Sequence, residues 1–414
     1  MKRICTIFLA AVLLFGTLTC LPVSTLAETE GDFVYTVENG EATVTGYNGK
    51  GGDVVIPSML GGKPVTAIGK LAFYEHKDII SITIPNGVKE IRQWAFRDCT
   101  GLTTVNFPDS LTTIGSQTFM YCEKLANIKL PDSVSRIEGS AFYYCESLTS
   151  VHIPKNTTEI ESSAFAGCNL TSLTVDPQNP VYYSDGNCII ERDTAALVQG
   201  CSASVIPQGI KTICEYAFYV CRGLTDINIP FGVEKIGRSA FDSCENLTNI
   251  ALPDSVKIIE ESAFADCEKL EAVTLGEGVK SIGWNAFYHT GLTSVRIPIS
   301  VTEMSAGVFQ SCKSMTDIYC EAPEKPADWE DGWDSGCPAT VHWGYKAPAP
   351  SLGDLDGDGV IDATDYGIVK RYVLGIINLS EEEVKFADID GDGVVDATDY
   401  GMIKRAAMGK FVIA

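Results

Sequence analysis

The sequence predicts an α/β solenoid, made of short strands plus short helical turns, followed by a small all-α domain. Three observations carry this expectation. Phenylalanine recurs at 73, 96, 119, 142 and 165, then at 218, 241, 264, 287 and 309, in steps of 23 residues except the last, 22, and the 53 between Phe165 and Phe218. Within each unit the spacing of apolar residues changes from three or four to two. Near the C-terminus the acidic segment DLDGDGVIDATD at 354–365 returns 34 residues later as DIDGDGVVDATD at 388–399.

In chain order, residues 1–27 are expected to be a secretory signal peptide. Lys2 and Arg3 precede the apolar run IFLAAVLLFG, and Thr25-Leu26-Ala27 offers small residues for cleavage. No other apolar stretch approaches the ~20 residues that a membrane span needs. The formal net charge is −23, or −25 once the two cations of residues 1–27 are gone. Such a surface repels phosphate and lacks a basic stripe, which argues against nucleic acid as a partner.

A fixed period between 20 and 50 residues is the mark of a solenoid. In the unit VEKIGRSAFDSCENLTNIALPDS at 233–255, Ile236, Ala240, Phe241, Cys244 and Leu247 are spaced for a short helical turn with one buried face. Ile250 and Leu252 then alternate with polar residues as in a short strand, which Pro253 ends. A unit this small cannot enclose its own core, so each must stack on the next and bury a continuous apolar column. Cysteine follows phenylalanine by three residues at 99, 122, 145, 168, 221, 244 and 267, while His76 and Thr290 hold the same place elsewhere. Replacement by unrelated types marks a packing slot of buried free thiols. Cys188 with Cys201 and Cys320 with Cys337 are better disulfide candidates, with the free-thiol alternative equally open.

These residues resemble the BspA type of leucine-rich repeat, whose pattern is close to I-G-x-x-A-F-x-x-C-x-x-L-x-x-V-x-I-P. The resemblance runs from about Val65 to Asp317, with residues 28–345 expected to form the solenoid and its caps. The opening GDFVYTVENGEATVTGYNGKGGDVVIPSMLGGKPVTAIG looks like an N-terminal cap, residues 179–200 like a long irregular module, and APEKPADWEDGWDSGCPATVHWGY like a closing segment. Trp329 and Trp333 are read as covers for the last repeat, with sugar binding as the alternative use of such aromatics.

No catalytic motif surrounds any of His76, His152, His289 or His342, so the solenoid is read as non-catalytic. The alternative is a hydrolase of plant polysaccharide or protein whose active site is assembled only in space. The outward strand positions, from Asn106 through His152 to Arg296 and Tyr319, form a stripe of mixed chemistry suited to recognition. That stripe leaves open whether the ligand is a protein or a polysaccharide.

A Pro-rich linker is expected at 346–352, and a second domain at 353–414. In each acidic loop aspartates occupy positions 1, 3, 5, 9 and 12, with glycine at 6, as in the calcium loop of an EF-hand. The expected ligands are Asp354, Asp356, Asp358, Asp362 and Asp365 with the carbonyl of Val360, and Asp388, Asp390, Asp392, Asp396 and Asp399 with the carbonyl of Val394. Two Ca2+ ions are expected. Aspartate at position 12 and the absence of a helix entering the first loop depart from the common EF-hand. Short amphipathic helices should follow each loop, closed by Gly375 and Gly409.

Residues 353–414 therefore resemble a type I dockerin, the duplicated loop-helix module that plugs into cohesin domains of cellulosome scaffoldins. The resemblance implies a cohesin partner contacted by Ala363, Thr364, Lys370 and Arg371, or equivalently by Ala397, Thr398, Lys404 and Arg405. It also implies an extracellular location at a cell-surface cellulosome, and a binding or adhesion role for the repeats.

Overall fold

The computed structural model describes residues 26–346, 352–355, 360–375, 379, 381–410 and 412–413. Residues 1–25 of the expected signal peptide, most of the expected linker, and Asp356 and Asp358 lie outside the described residues.

The repeats form a solenoid of short parallel strands. Two-residue strands at Glu90–Ile91, Thr113–Ile114, Arg136–Ile137 and Glu159–Ile160 pair in register, one per unit. An antiparallel cap made of Glu28–Glu30, Phe33–Glu38 and Glu41–Tyr47 leads into them, its last strand running parallel to Lys63–Ile68. The insertion is more regular than its sequence suggests. Tyr182–Asp185, Cys188–Glu191 and Ala196–Gln199 form an antiparallel meander whose last strand starts a second parallel array through Thr212–Ile213, Lys235–Ile236, Ile258–Ile259, Ser281–Ile282 and Glu303–Met304.

The phenylalanines stack. Phe73, Phe96, Phe119, Phe142 and Phe165 have ring centroids 4.8 to 5.4 Å apart, and Phe218, Phe241, Phe264, Phe287 and Phe309 repeat this at 4.9 to 5.7 Å. Near-parallel rings at this separation are the offset arrangement that aromatic quadrupoles favour. Trp333 packs edge-on against Phe309 at 6.3 Å and against Trp329 at 5.0 Å, and both tryptophans are buried. At the other end Tyr47 lies 5.3 Å from Phe73.

The turn that carries each phenylalanine has helical spacing without being a helix. Its N–H groups alternate: Ala95, Arg97 and Cys99 donate three residues back, while Trp94, Phe96 and Asp98 donate to Ser116, Thr118 and Met120 of the next unit. Left-handed residues at Trp94 (φ +62°) and Asp98 (φ +60°) bound this stretch, and other units repeat such pairs. The backbone thus spends half of its donors on the neighbouring repeat, which no helix can do.

The cysteine slot has a second duty. The thiols of Cys99, Cys122, Cys145, Cys168, Cys244, Cys267 and Cys312 each donate to the carbonyl of the preceding unit's phenylalanine, at 3.0 to 3.2 Å. Thr290, in the same slot, departs from this: its hydroxyl donates to the carbonyl of its own unit's Phe287, at 3.2 Å. The two disulfides considered from sequence are not formed. All four cysteines are thiols, and Cys188 and Cys201 turn to the carbonyls of Gly186 and Asn187 instead, at 3.6 and 3.7 Å.

Burial pushes the thiols of Cys99, Cys188 and Cys320 up to about 12, so none is a thiolate near neutral pH. At pH 8 a chromogenic disulfide reagent should therefore react with few of the thirteen described cysteines of the folded protein, and with all of them in denaturant. Rapid full labelling of the native protein would contradict this packing.

The C-terminal module has its own small core of Leu355, Ile368, Val369, Ala387, Val395 and Ile403. Its helices are α1 (Ala363–Val373), α2 (Glu381–Ala387) and α3 (Ala397–Ala407). The first and third follow the acidic loops as expected, and α2 is an additional helix between them.

Candidate functional site

Each acidic loop is bound to its following helix by the same hydrogen bonds. Asp362 is the N-cap of α1: its carboxylate accepts from the Thr364 N–H (2.6 Å), and Asp365 accepts from the Asp362 N–H (2.7 Å). Asp396 and Asp399 do the same for α3, at 2.6 and 2.9 Å. Asp365 also reaches back to the Leu355 N–H, and Asp399 to the Ile389 N–H, both at 2.7 Å. The position-12 aspartates are thus wholly buried braces joining the loop's start to the helix. This explains aspartate there, because the short side chain is the capping-box partner. At the other ends Gly375 (φ +68°) and Gly409 (φ +66°) close α1 and α3 in the left-handed conformation.

The remaining carboxylates of the second loop converge. Ligand oxygens of Asp388, Asp390 and Asp392 lie within 4.8 Å of one another. Backbone donors reach all three: Gly393 N–H to Asp388 (2.9 Å), Val394 N–H to Asp392 (2.8 Å) and Asp392 N–H to Asp390 (3.2 Å). Asp388 Oδ1 is buried without a hydrogen-bond partner. A buried, unpaired carboxylate oxygen beside two further carboxylates is the environment that a hard cation stabilises. Asp390 shows the strain. The Asp392 N–H lowers its pKa, yet burial and repulsion from Asp392, Asp399 and Asp388 leave it above the usual value. The donor set of Asp388, Asp390 and Asp392 therefore fits a hard cation such as Ca2+. In the first loop Asp354 and Asp365 are buried and Val360 is exposed.

The residues expected to meet a partner are not equivalent in the two halves. Ala397 and Lys404, and Thr398 and Arg405, are seven apart on α3 and so share a side of the helix. Ala397, Thr398 and Arg405 are exposed; Lys404 lies across Tyr400 and Tyr366, 5.4 and 6.0 Å from their ring centroids. On α1, Thr364 is half-buried and Lys370 exposed, but Arg371 is buried and its guanidinium lies 3.5 Å from Asp226 of the solenoid.

Among the described residues three of the histidines pair with a carboxylate or a threonine hydroxyl. His289 Nδ1 lies 2.8 Å from Asp266 and His342 Nε2 2.7 Å from Asp317, and among the described contacts neither imidazole bonds a serine or cysteine. His152 bonds Thr174 at 2.9 Å. One carboxyl stands out on the turn face. Burial raises Asp242 to about 6, against hydrogen bonds from Ser243 and Ser239 that lower it. Its neutral form is the favoured one in the fold, so its stabilising contribution is full below about 3.8 and is lost as pH rises through about 6. Asp242→Asn should flatten the stability-pH curve between those values, as read by thermal melts; an unaltered curve would contradict the burial.

The strand face carries the mixed stripe expected from the sequence, and the turn face carries a cluster that was not expected from it. The two positions after each phenylalanine hold Met120 and Tyr121, Tyr143 and Tyr144, and Tyr219 in units that meet in space. With Tyr216 they make a cluster with ring centroids 4.8 to 6.4 Å apart. The offset from phenylalanine is a signal that could have found them.

Two family models match. BspA-type leucine-rich repeats, in six copies, cover residues 66–184 and 198–316, more than half of the chain. The chain belongs to the BspA-type leucine-rich repeat family. A type I dockerin domain matches residues 352–406, so this BspA-type protein ends in a dockerin. Its fold is similar to a leucine-rich cell surface protein from Faecalibacterium prausnitzii, with 24% identity, TM-score 0.53, and 78% of this chain and 96% of that one covered. It is also similar to the pneumococcal vaccine antigen PcpA, with 19% identity, TM-score 0.56, and 77% and 86% covered. No curated protein matches. Among the described residues no helix of the BspA-type chain is long and apolar enough to cross a membrane.

Proposed function

We propose that this is a secreted, non-catalytic binding or adhesion protein, anchored to a cellulosome scaffoldin when its dockerin binds a cohesin in the presence of calcium. The reading divides the chain into a signal peptide at 1–27, repeats and caps at 28–345, a linker at 346–352 and the dockerin at 353–414. It rests on the convergent Asp388, Asp390 and Asp392 beside the buried Asp388 Oδ1, within a module that matches the dockerin family. Two ions are assigned, one per loop, because the same capping bonds brace both loops. Bound calcium would neutralise the clustered carboxylates, and Asp365 and Asp399 would then hold α1 and α3 at fixed angles to the loops.

The test is capture of cohesin-bearing scaffoldin from culture supernatant by the full chain, with calcium and with chelator. Calcium-dependent capture supports the anchor, and capture indifferent to calcium defeats it. Because Arg371 is engaged with Asp226, the α3 face should dominate. Lys404→Ala with Arg405→Ala should weaken cohesin binding by about tenfold or more, whereas Lys370→Ala with Arg371→Ala should change it little. Equal losses from the two pairs would remove the distinction between the faces.

A further inference from the structure

The turn face of the solenoid carries a cleft of about 430 Å³, within the range of small-molecule sites. Tyr121, Tyr143 and Tyr216 line it together with Ser162, Ser163, Gln117 and Glu215. The insertion makes it. In the unit before the meander the two turn positions are Ala166 and Gly167, so the tyrosine stripe has a gap there. A Cβ on Gly167 would meet the Tyr144 ring at 2.8 Å, and the Gly167 N–H donates to the Tyr219 carbonyl at 3.2 Å. The missing side chains bring together tyrosines 76 residues apart in sequence: Tyr143 and Tyr219 stack at 5.9 Å, with hydroxyls 3.2 Å apart.

We propose that this cleft binds a neutral glycan chain, the half-buried tyrosine rings receiving the apolar faces of its sugars. Sugar rings present a C–H face bordered by hydroxyls that both donate and accept. The lining has both counterparts: half-buried tyrosine rings, and serine hydroxyls, an amide and a carboxylate. Gln117 Oε1 accepts from Trp94 Nε1 (2.9 Å) and from Arg97 (3.1 Å), which fixes the amide and leaves its NH2 as a donor. A proline-rich peptide can also lie on tyrosines, but it offers carbonyl acceptors and no N–H or O–H donor, so it leaves the Glu215 carboxylate unpaired where a sugar hydroxyl donates to it. Glu215 and the net charge of −23 disfavour acidic glycans. This names a ligand class for the solenoid of the binding protein proposed above and rests on that reading.

The experiment is calorimetric titration of the full chain, in calcium, with cellohexaose, xylohexaose and mannohexaose, and with hexagalacturonate and decaproline for comparison. At least one neutral hexasaccharide should bind. Tyr143→Ala and Tyr216→Ala should each weaken it by about tenfold. Ser162→Arg, a change at an exposed position outside the ring stack, should abolish binding with the melting temperature unaltered. The proposal is overturned if no neutral hexasaccharide binds, if Ser162→Arg binds as the parent does, or if decaproline or hexagalacturonate is the tighter ligand. Cohesin capture measured on the same samples separates failure of the cleft from failure of the anchored-protein reading.

Discussion

Chelation of calcium is expected to melt the dockerin helices while the repeats stay folded. Without a cation, Asp388, Asp390 and Asp392 hold their charges within 4.8 Å of one another and Asp388 Oδ1 has no partner. The core beneath is small, six buried side chains among the described residues, and cannot absorb much destabilisation. An ion present at a hundred to a thousand times its Kd contributes about 3 to 4 kcal/mol, which vanishes on chelation. Circular dichroism at 222 nm should fall with chelator and recover with calcium, since the solenoid contributes almost no regular helix to that signal. Asp388→Ala should reproduce the loss in part without chelator, by removing one loop's anchor. Helical signal and melting that are the same with and without calcium would refute the metal assignment.

The second large effect belongs to the phenylalanine column. Phe241→Ala should destabilise the solenoid by about 3 to 5 kcal/mol, the range for deleting a fully buried phenyl ring. Its ring has no exposure and stands 4.9 Å from Phe218 and 5.2 Å from Phe264, so its loss opens both interfaces of the unit at once. In a solenoid each unit is stable only through its neighbours, and the defect should spread to adjacent repeats in hydrogen exchange. Cys244→Ala is the contrasting substitution. It removes one thiol donor to the Phe218 carbonyl (3.2 Å) and little volume, for a loss of about 1 kcal/mol. Urea titrations of the two variants check the difference; a Phe241→Ala loss below about 1 kcal/mol would mean that the stack is not what holds the units together.

The repeat and the acidic loops could be read from the chain because each is local. A 23-residue unit states its buried face in the spacing of Ile236, Ala240, Phe241 and Cys244, and every copy restates it. Each acidic loop likewise sets five aspartates within twelve residues. What spacing could not convey is where backbone donors go. The turn was expected to be helical because three-and-four spacing buries one face of any tight coil; the alternation between Ala95 and Phe96 donors depends on a neighbour 22 residues ahead.

The sequence by itself determined the solenoid, the position of its insertion, the aspartate sets of the two loops and the glycines closing the helices. Those properties follow from side-chain periodicity and from backbone conformations that few residues tolerate. Tertiary structure alone decided three others. It made the matching halves of the dockerin unequal, by setting Arg371 against Asp226 while Lys404 lies across tyrosines. It made the cysteine slot a hydrogen-bond donor to the preceding unit. It gathered Tyr121, Tyr143 and Tyr216 into one cleft beside the Tyr143–Tyr219 stack, because stacking across an insertion brings together residues whose separation in sequence has no fixed relation to their separation in space.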